Sequence, residues 1–158
     1  MTHKVKGFST VNEAEAAVLG WIDADPKALY EAGIKASFDF QATYHTDVTD
    51  IAGKTAVADY IASVPLSDDK DTAIKQIVTQ RFLAGFMTDG IESWSDWRIH
   101  NIPTFTLTQS QIDEGNKDYP YRMNYSDTDK DYNKENAQAA MDQWLGGSDN
   151  RWARVWWD

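Results

Sequence analysis

The stretch that decides the fold class is residues 10–43, which read TVNEAEAAVLGWIDADPKALYEAGIKASFDFQAT. Its beginning places Thr10 three residues before Glu13 and ahead of an apolar run. In a capping box, the side chains at these two positions accept hydrogen bonds from backbone amides that the helix terminus leaves unpaired. The pattern therefore predicts a helix that begins at Thr10 and continues to Trp21.

A second helix is predicted to begin soon afterwards, at Asp25 and Pro26. Aspartate is a favoured N-cap, and proline suits the first helical position because no backbone amide donor is needed there. The helix is expected to run to about Thr43, and together with the first it predicts an antiparallel hairpin. Because apolar residues cover two of its faces, we expect it to be buried between neighbours. One face carries Leu29, Ala32, Ala36 and Phe40, and the other carries Tyr30, Ile34 and Phe38.

Helical patterns continue through much of the remaining chain. Pro65 is expected to end a short helix, and the segment Ser67–Asp69 supplies caps and negative charge for the helix that follows. Gly146 and Gly147 are expected to stop the last helix, whose apolar residues recur with a helical period. These helices are predicted over residues 55–64, 71–86, 92–100 and 133–145.

The helical pattern is lost over residues 101–132, which are rich in polar residues and contain proline and glycine. Within this stretch Thr104–Thr108 alternates like a short strand, and the whole is expected to form a packed surface coil or a binding lip. The tail, residues 151–158, is too aromatic for a free end, and we expect it to dock on the rest of the domain. The sequence thus predicts a mainly α fold, with helical hairpins plus a long irregular segment, in a single domain over residues 1–158.

The composition excludes several functions. A length of 158 residues suits one domain, and 25 acidic against 15 basic side chains give a formal net charge of −10. Such a surface repels phosphate backbones, so a nucleic-acid partner is not expected. The chain has no cysteine, which excludes disulfides, thiolate metal sites and cysteine nucleophiles within it.

Three groups of carboxylates are candidates for acid–base chemistry: Glu13 with Glu15, Asp68 with Asp69 and Asp71, and Glu92 with Asp96. The first two are explained as helix caps and first-turn charge, so the most enzyme-like pair is Glu92 and Asp96, four residues apart on one predicted helix face. Carboxylates on adjacent helical turns more often form an exposed acidic surface. The three histidines are far apart in the sequence, and none lies in a recognisable nucleophile motif. The residues therefore predict that the chain is not an enzyme, and a small α-helical glycan hydrolase is the catalytic alternative.

A calcium site is one interpretation of the alternating carboxylates Asp127, Asp129 and Asp131. Carboxylates at alternate positions bind Ca²⁺ in an EF-hand loop. The match then fails, because Tyr132 stands in place of the turn-making glycine and Gln138 in place of the bidentate glutamate. No cofactor is therefore predicted, and the other interpretation of the segment is a solvated loop.

Aromatic residues point to a binding role. Rings in loops can stack on the apolar faces of sugars, whereas rings at helical spacing more often fill a core. The helical tryptophans Trp94, Trp97 and Trp144 are therefore expected in the core, with Arg98 stacked on Trp94 one turn away. The candidate ligand-binding residues are Tyr119 and Tyr121 of the irregular segment and Trp152 of the tail.

Seven segments follow one another in an order and spacing that carry a family resemblance over nearly the whole chain. They are VNEAEAAVLGW, Tyr30–Phe38 with the pattern Y-x-x-G-I-x-A-S-F, IVTQRFLAGF, E-x-W-x-D-W-R running into Pro103, YRMNY, Asn133–Ala139 with the pattern N-x-x-N-x-x-A, and the closing WWD. The series resembles the C-terminal part of the SusD/RagB family of outer-membrane nutrient-binding lipoproteins from Bacteroidetes.

The resemblance implies the C-terminal portion of an α-helical SusD-like fold that captures glycans or related nutrients and performs no chemistry. It implies a SusC-type TonB-dependent transporter as partner and a place at the outer membrane through an N-terminal lipid anchor. Because the chain begins partway into the family pattern, the anchor and the helical-repeat region are expected to lie outside it. The alternative from another class is a structural docking module of the same lipoprotein without its own ligand site.

Overall fold

A computed structural model of the chain describes residues 3–44, 54–86 and 88–155. These residues form α-helices without any strand, which confirms the mainly α prediction. The chain divides into two compact units, which we call the N-terminal unit (Met1–Pro103) and the C-terminal unit (Thr104–Asp158). In the described part of the chain, no helix combines the length and the apolar composition needed to cross a bilayer.

Among the described residues, five helices lie in the N-terminal unit and three lie in the C-terminal unit. The first five are α1 (His3–Val18), α2 (Pro26–Tyr44), α3 (Lys54–Ser63), α4 (Lys70–Gly85) and α5 (Gly90–His100). The other three are α6 (Gln109–Asp113), α7 (Asp127–Tyr132) and α8 (Lys134–Trp144).

The helices α1 and α2 pack against each other as the predicted hairpin. Gly20 ends α1 with a positive φ of 77°, a conformation that glycine adopts without strain. The Trp21 amide donates to the Ala16 carbonyl at 2.9 Å and the Gly20 amide to the Ala17 carbonyl at 3.0 Å, which is a Schellman motif. The Asp25 carboxylate accepts from the Lys27 amide at 3.0 Å, so Asp25 caps α2 as predicted.

The predicted start of α1 is wrong. The helix begins at His3, so Thr10 lies inside α1 and does not cap it. No proline interrupts the residues before Thr10, and the helix continues through them. Val11 and Ala14 are fully buried against the rest of the unit, so packing extends over the part of α1 where the capping box had placed a free end.

Residues of α1, α2 and α4 form the core of the N-terminal unit. At Gly33 of α2, an added Cβ would lie 2.5 Å from the Val11 Cγ2, so the absence of a side chain lets the helices approach closely. Asp69 caps α4 as predicted, because its carboxylate accepts from the Thr72 amide at 2.9 Å. The buried core cluster is Val11, Ala14, Tyr30, Ile34, Leu66, Ala73 and Ile77.

The C-terminal unit contains helices in the segment predicted to be irregular. Thr104–Thr108 is not a strand, because Thr108 serves as the N-cap of α6 and completes a capping box with Gln111. Along α8 and its C-cap, the buried residues recur every four positions and form a narrow stripe. Trp144 lies outside this stripe, and 70% of its surface is exposed. The core expectation is therefore wrong for Trp144. The stripe consists of Ala137, Met141 and Leu145.

Candidate functional site

The three aromatic residues predicted to bind ligand lie together around Asp118 in the C-terminal unit. The Trp152 Nε1 donates to the Asp118 carbonyl at 2.8 Å. The Tyr121 hydroxyl donates to the Asp118 carboxylate at 3.2 Å, and the Tyr119 amide donates to the same carboxylate at 2.8 Å. We call these four residues the Asp118 cluster.

The tail completes this cluster by docking along the segment that carries the two tyrosines. The Tyr121 amide donates to the Arg151 carbonyl at 2.9 Å, and the Arg122 guanidinium donates to the Asp149 carboxylate at 2.7 Å. The docking predicted for the tail is thus confirmed over Arg151–Val155. Its last three residues, Trp156, Trp157 and Asp158, lie outside the described residues.

Asp149 is the charged anchor of this docking. Burial is the largest single influence and raises the pKa of its carboxyl, but the groups that stabilise the carboxylate, with the hydrogen bond from Arg122 first among them, together outweigh burial. The Tyr125 amide, at 3.3 Å, and the nearby Lys130 ammonium act in the same direction as Arg122. The pKa of Asp149 is therefore held below its ordinary value of 3.8, and the carboxylate remains charged at neutral pH.

Within the Asp118 cluster, the ring of Tyr121 is enclosed by its neighbours. Its side chain is only 7% exposed, and the Arg154 guanidinium covers the ring at 4.1 Å from its centroid. The Arg154 Nη2 also donates to the Tyr121 hydroxyl at 3.0 Å. Because this ring is enclosed, a sugar has better access to the rings of Tyr119 and Trp152.

The rings of Tyr119 and Trp152 are partly exposed and have polar neighbours. Tyr119 packs against Phe105 with ring centroids 5.5 Å apart and planes tilted by 51°. The Arg151 guanidinium lies 5.1 Å from the Trp152 ring centroid, and the Lys117 ammonium lies 6.0 Å from it. The cluster therefore offers apolar ring surface beside hydrogen-bond donors, which is the combination that a sugar ring with hydroxyl groups requires.

The carboxylate pair considered for hydrolysis lies in the N-terminal unit, and one of its members is bound by arginine. The Asp96 Oδ2 lies 2.5 Å from the Arg81 Nε. The Arg81 Nη1 also donates to the Glu15 carboxylate at 2.6 Å. Because Asp96 is engaged by the Arg81 guanidinium, it does not form with Glu92 a pair of free carboxylates that could flank a glycosidic bond.

The residues considered for calcium lie on the short helix α7. Asp127 pairs with Lys130 at 3.0 Å, and the Asp129 carboxylate accepts from the Ser126 hydroxyl at 2.8 Å. Among the residues that the structure describes, no group of three or more His, Asp or Glu side chains is placed to hold a metal ion. The prediction stays that the segment binds no cofactor, with calcium at Asp127, Asp129 and Asp131 as its alternative.

Two features of the molecule were missed from the sequence. Arg81 is 6% exposed and its side chain joins α1 to α5. The signal in the sequence was that Arg81 is the one charged residue of the segment IVTQRFLAGF. Trp21 is 76% exposed at the turn after α1. The Gly20–Trp21 pair could have indicated this exposed position, because a glycine at the end of a helix predicts a turn, and the residue after the glycine then lies in that turn.

The architecture defines an all-α protein, and comparison with known families identifies it further. A family model described as "SusD-like: Susd and RagB outer membrane lipoprotein" matches residues 9–158. The chain therefore belongs to the SusD-like family, and the resemblance found in its motifs is confirmed. No curated protein sequence matches the chain.

Solved structures agree with this assignment. An outer membrane protein of Bacteroides vulgatus, with a suggested role in nutrient binding, is 29% identical and has a TM-score of 0.80. The match covers 96% of this chain and 33% of the Bacteroides vulgatus protein. A SusD homologue of Bacteroides fragilis is 30% identical, with a TM-score of 0.79 over 95% of this chain and 34% of its own. A chitin-binding protein is 25% identical, with a TM-score of 0.79, and the match covers 95% of this chain and 32% of the chitin-binding protein. The chain thus spans about a third of the length of these relatives.

Proposed function

We propose that this chain is part of a non-catalytic glycan-capture protein of the outer membrane, which hands its ligand to a SusC-type TonB-dependent transporter. The observation that carries the proposal is the gathering of Tyr119 and Trp152 around Asp118, with Lys117 and Arg151 beside the indole. Stacking on the rings and donation from the cations would hold a sugar without breaking any bond.

Two further observations support capture over hydrolysis. A relative of similar fold is a chitin-binding protein, and another has a suggested role in nutrient binding. The carboxylate pair that hydrolysis would need is compromised, because Asp96 is paired with Arg81. The family description as an outer membrane lipoprotein supports the proposed location.

Calorimetric titration of the purified chain with a panel of oligosaccharides, including chitin and starch fragments, tests this proposal. We expect Trp152→Ala to weaken the affinity for the bound glycan at least tenfold, because the substitution removes the stacking surface. Trp144→Ala is the matched control, since it removes an exposed indole from the same unit. Equal affinities of the two variants would contradict a ligand site at the Asp118 cluster.

A docking module without its own ligand is the second candidate, and exposed apolar residues near the end of α4 favour it. Leu83 is half exposed, and Phe86 and Ile91 are more exposed still. Large apolar side chains left in solvent are typical of surfaces that another protein segment covers. Absence of binding across the panel, together with self-association that Phe86→Ser abolishes, would favour docking over capture.

A further inference from the structure

A cavity lies in the N-terminal unit, between the second half of α1, the last third of α4 and the first half of α5. Its volume is about 230 Å³, which is below the roughly 300–1,000 Å³ of sites for drug-sized ligands and suits one sugar ring. It is lined by Asn12, Glu15, Ala16, Trp21, Arg81, Glu92 and Asp96.

The aromatic wall of this cavity is built by the turn after α1. The Schellman motif fixes the backbone of Trp21 through the 2.9 Å hydrogen bond from its amide to the Ala16 carbonyl. The indole nevertheless stays 76% exposed and lines the cavity. A large ring that is held by its backbone and open to solvent is available to stack on a ligand.

The polar wall is organised by Arg81, which is almost fully buried. Its guanidinium binds one carboxylate oxygen of Glu15 at 2.6 Å and the amide oxygen of Asn12 at 3.0 Å, and its Nε lies 2.5 Å from Asp96. An ionised carboxylate has acceptor capacity on both oxygens, so each acid can still accept from a ligand. The arginine thus holds two acceptors in fixed positions beside Trp21.

The charge of the cavity selects among ligands. Three carboxylates line it, and the Arg81 guanidinium compensates one of them. Glu92 is exposed and forms no ion pair with any residue that the structure describes. The remaining negative charge favours hydroxyl and ammonium donors and repels carboxylate and sulfate groups.

We propose that this cavity is a second carbohydrate subsite that takes one neutral or amino-bearing pyranose and excludes uronic and sulfated sugars. The apolar face of the sugar stacks on Trp21, and its hydroxyl or ammonium groups donate to Glu15, Asp96 and Glu92. This inference rests on the proposed glycan-capture function and adds a site and a selectivity to it.

Indole N–H signals in a ¹⁵N-correlated NMR spectrum test the subsite at pH 7, because each of the seven tryptophans gives its own signal. The signals of Trp21 and Trp152 are assigned by their loss in Trp21→Ala and Trp152→Ala. The probes are a glucosamine oligomer, an N-acetylglucosamine oligomer and a galacturonic acid oligomer. We expect the Trp21 signal to shift saturably with the first two probes and to stay unchanged with the third.

Three single substitutions test which side chains of the cavity bind the sugar. Trp21→Ala should weaken the affinity of the cavity for the glucosamine oligomer at least fivefold, whereas Trp144→Ala, an equally exposed indole elsewhere, should leave it unchanged. Glu92→Gln should reduce the preference for glucosamine over N-acetylglucosamine, because it removes the charge that attracts the ammonium. An unmoved Trp21 signal, or binding of the galacturonic acid oligomer at Trp21, overturns the inference.

The two signals separate this inference from the proposed function. Shifts at Trp152 without shifts at Trp21 overturn the second subsite and leave glycan capture standing. Shifts at Trp21 without shifts at Trp152 support the subsite and remove the Asp118 cluster from the account. Absence of both shifts with every glycan overturns both.

Discussion

The Trp152 indole donates a 2.8 Å hydrogen bond to the carbonyl of Asp118, a residue 34 positions earlier in the chain. The bond joins the tail to the segment that carries Tyr119 and Tyr121. It fixes one edge of the indole, so the orientation of the ring is set by the protein before any ligand arrives. A preorganised ring loses less conformational freedom on binding, which raises the affinity that a few contacts can supply.

Trp152→Phe tests the hydrogen bond separately from the ring. The variant keeps an aromatic surface but loses the donor, so the free energy of unfolding should fall by about 0.5–1.5 kcal/mol. Trp144→Phe should change stability by less than about 0.5 kcal/mol, because Trp144 is exposed. Chemical denaturation of both variants measures the difference, and equal stabilities would show that the bond to Asp118 contributes nothing.

Arg81→Met should destabilise the N-terminal unit by about 2–4 kcal/mol, because Glu15 and Asp96 would keep their charges without compensation. This is somewhat below the value for a fully buried pair, since the two carboxylates keep some contact with water. Lys35→Ala breaks the exposed pair with Asp39 and should cost about 0.5 kcal/mol or less. Urea unfolding curves for both variants check the prediction, and a loss below about 1 kcal/mol for Arg81→Met would refute it.

Gly33→Ala should destabilise the hairpin by about 1–3 kcal/mol, because the new Cβ would lie 2.5 Å from the Val11 Cγ2. Gly90→Ala is the control, since a Cβ there meets nothing within 4 Å. In a Val11→Ala background the cost of Gly33→Ala should become smaller, because the clashing methyl group is gone. Thermal unfolding of the four variants tests this, and an undiminished cost in that background would mean that the clash is not the cause.

Trp97→Ala should lower the free energy of unfolding by about 3–5 kcal/mol, the range for a large aromatic side chain lost from a core. Trp97 is 4% exposed, whereas Trp94 is only partly buried and stacks against the Arg98 guanidinium at 4.7 Å. Trp94→Ala should therefore cost clearly less. Denaturation of the two variants compares them, and a larger loss for Trp94 would reverse the assignment.

Acidification should loosen the tail through Asp149. Its pKa is lower in the folded state than in the unfolded state, so the stabilisation is complete above the unfolded pKa of about 3.9 and is lost as the pH falls through the folded value. Melting temperatures between pH 7 and pH 2.5 should fall less steeply for Asp149→Asn than for the unsubstituted chain. Parallel curves would show that the Asp149 carboxylate does not contribute.

The helices that depend on local signals were predictable from the sequence. The carboxylates of Asp25 and Asp69 accept from amides two and three residues later, and the double glycine after α8 adopts a positive φ, so each signal acts locally and lies where the pattern placed it. The helices α6 and α7 were missed because they are too short to show a period and depend on single caps at Thr108 and Ser126. The false start at Thr10 arose because a capping-box pattern also fits the interior of a helix that begins earlier, at His3.

The site was only partly predictable for a different reason. The aromatic composition of the loop and tail indicated that Tyr119, Tyr121 and Trp152 were candidate ligand-binding residues. It did not indicate that all three would contact Asp118. Asp118 acts partly through its backbone carbonyl, which no side-chain pattern reports. Arg81 likewise depends on partners 66 residues before it and 15 residues after it, and such pairings follow only from the fold.

The measurement that tests glycan capture most directly is a tryptophan-fluorescence titration of the whole chain against polysaccharides, with and without EDTA and with the glycan recovered afterwards. We predict a saturable shift that is weakened in Trp152→Ala, where only the cavity beside Trp21 remains to bind glycan, that is unaffected by EDTA, and that is accompanied by complete recovery of uncleaved glycan. A flat response from folded protein across the panel, or recovery of shortened glycan, would contradict the account.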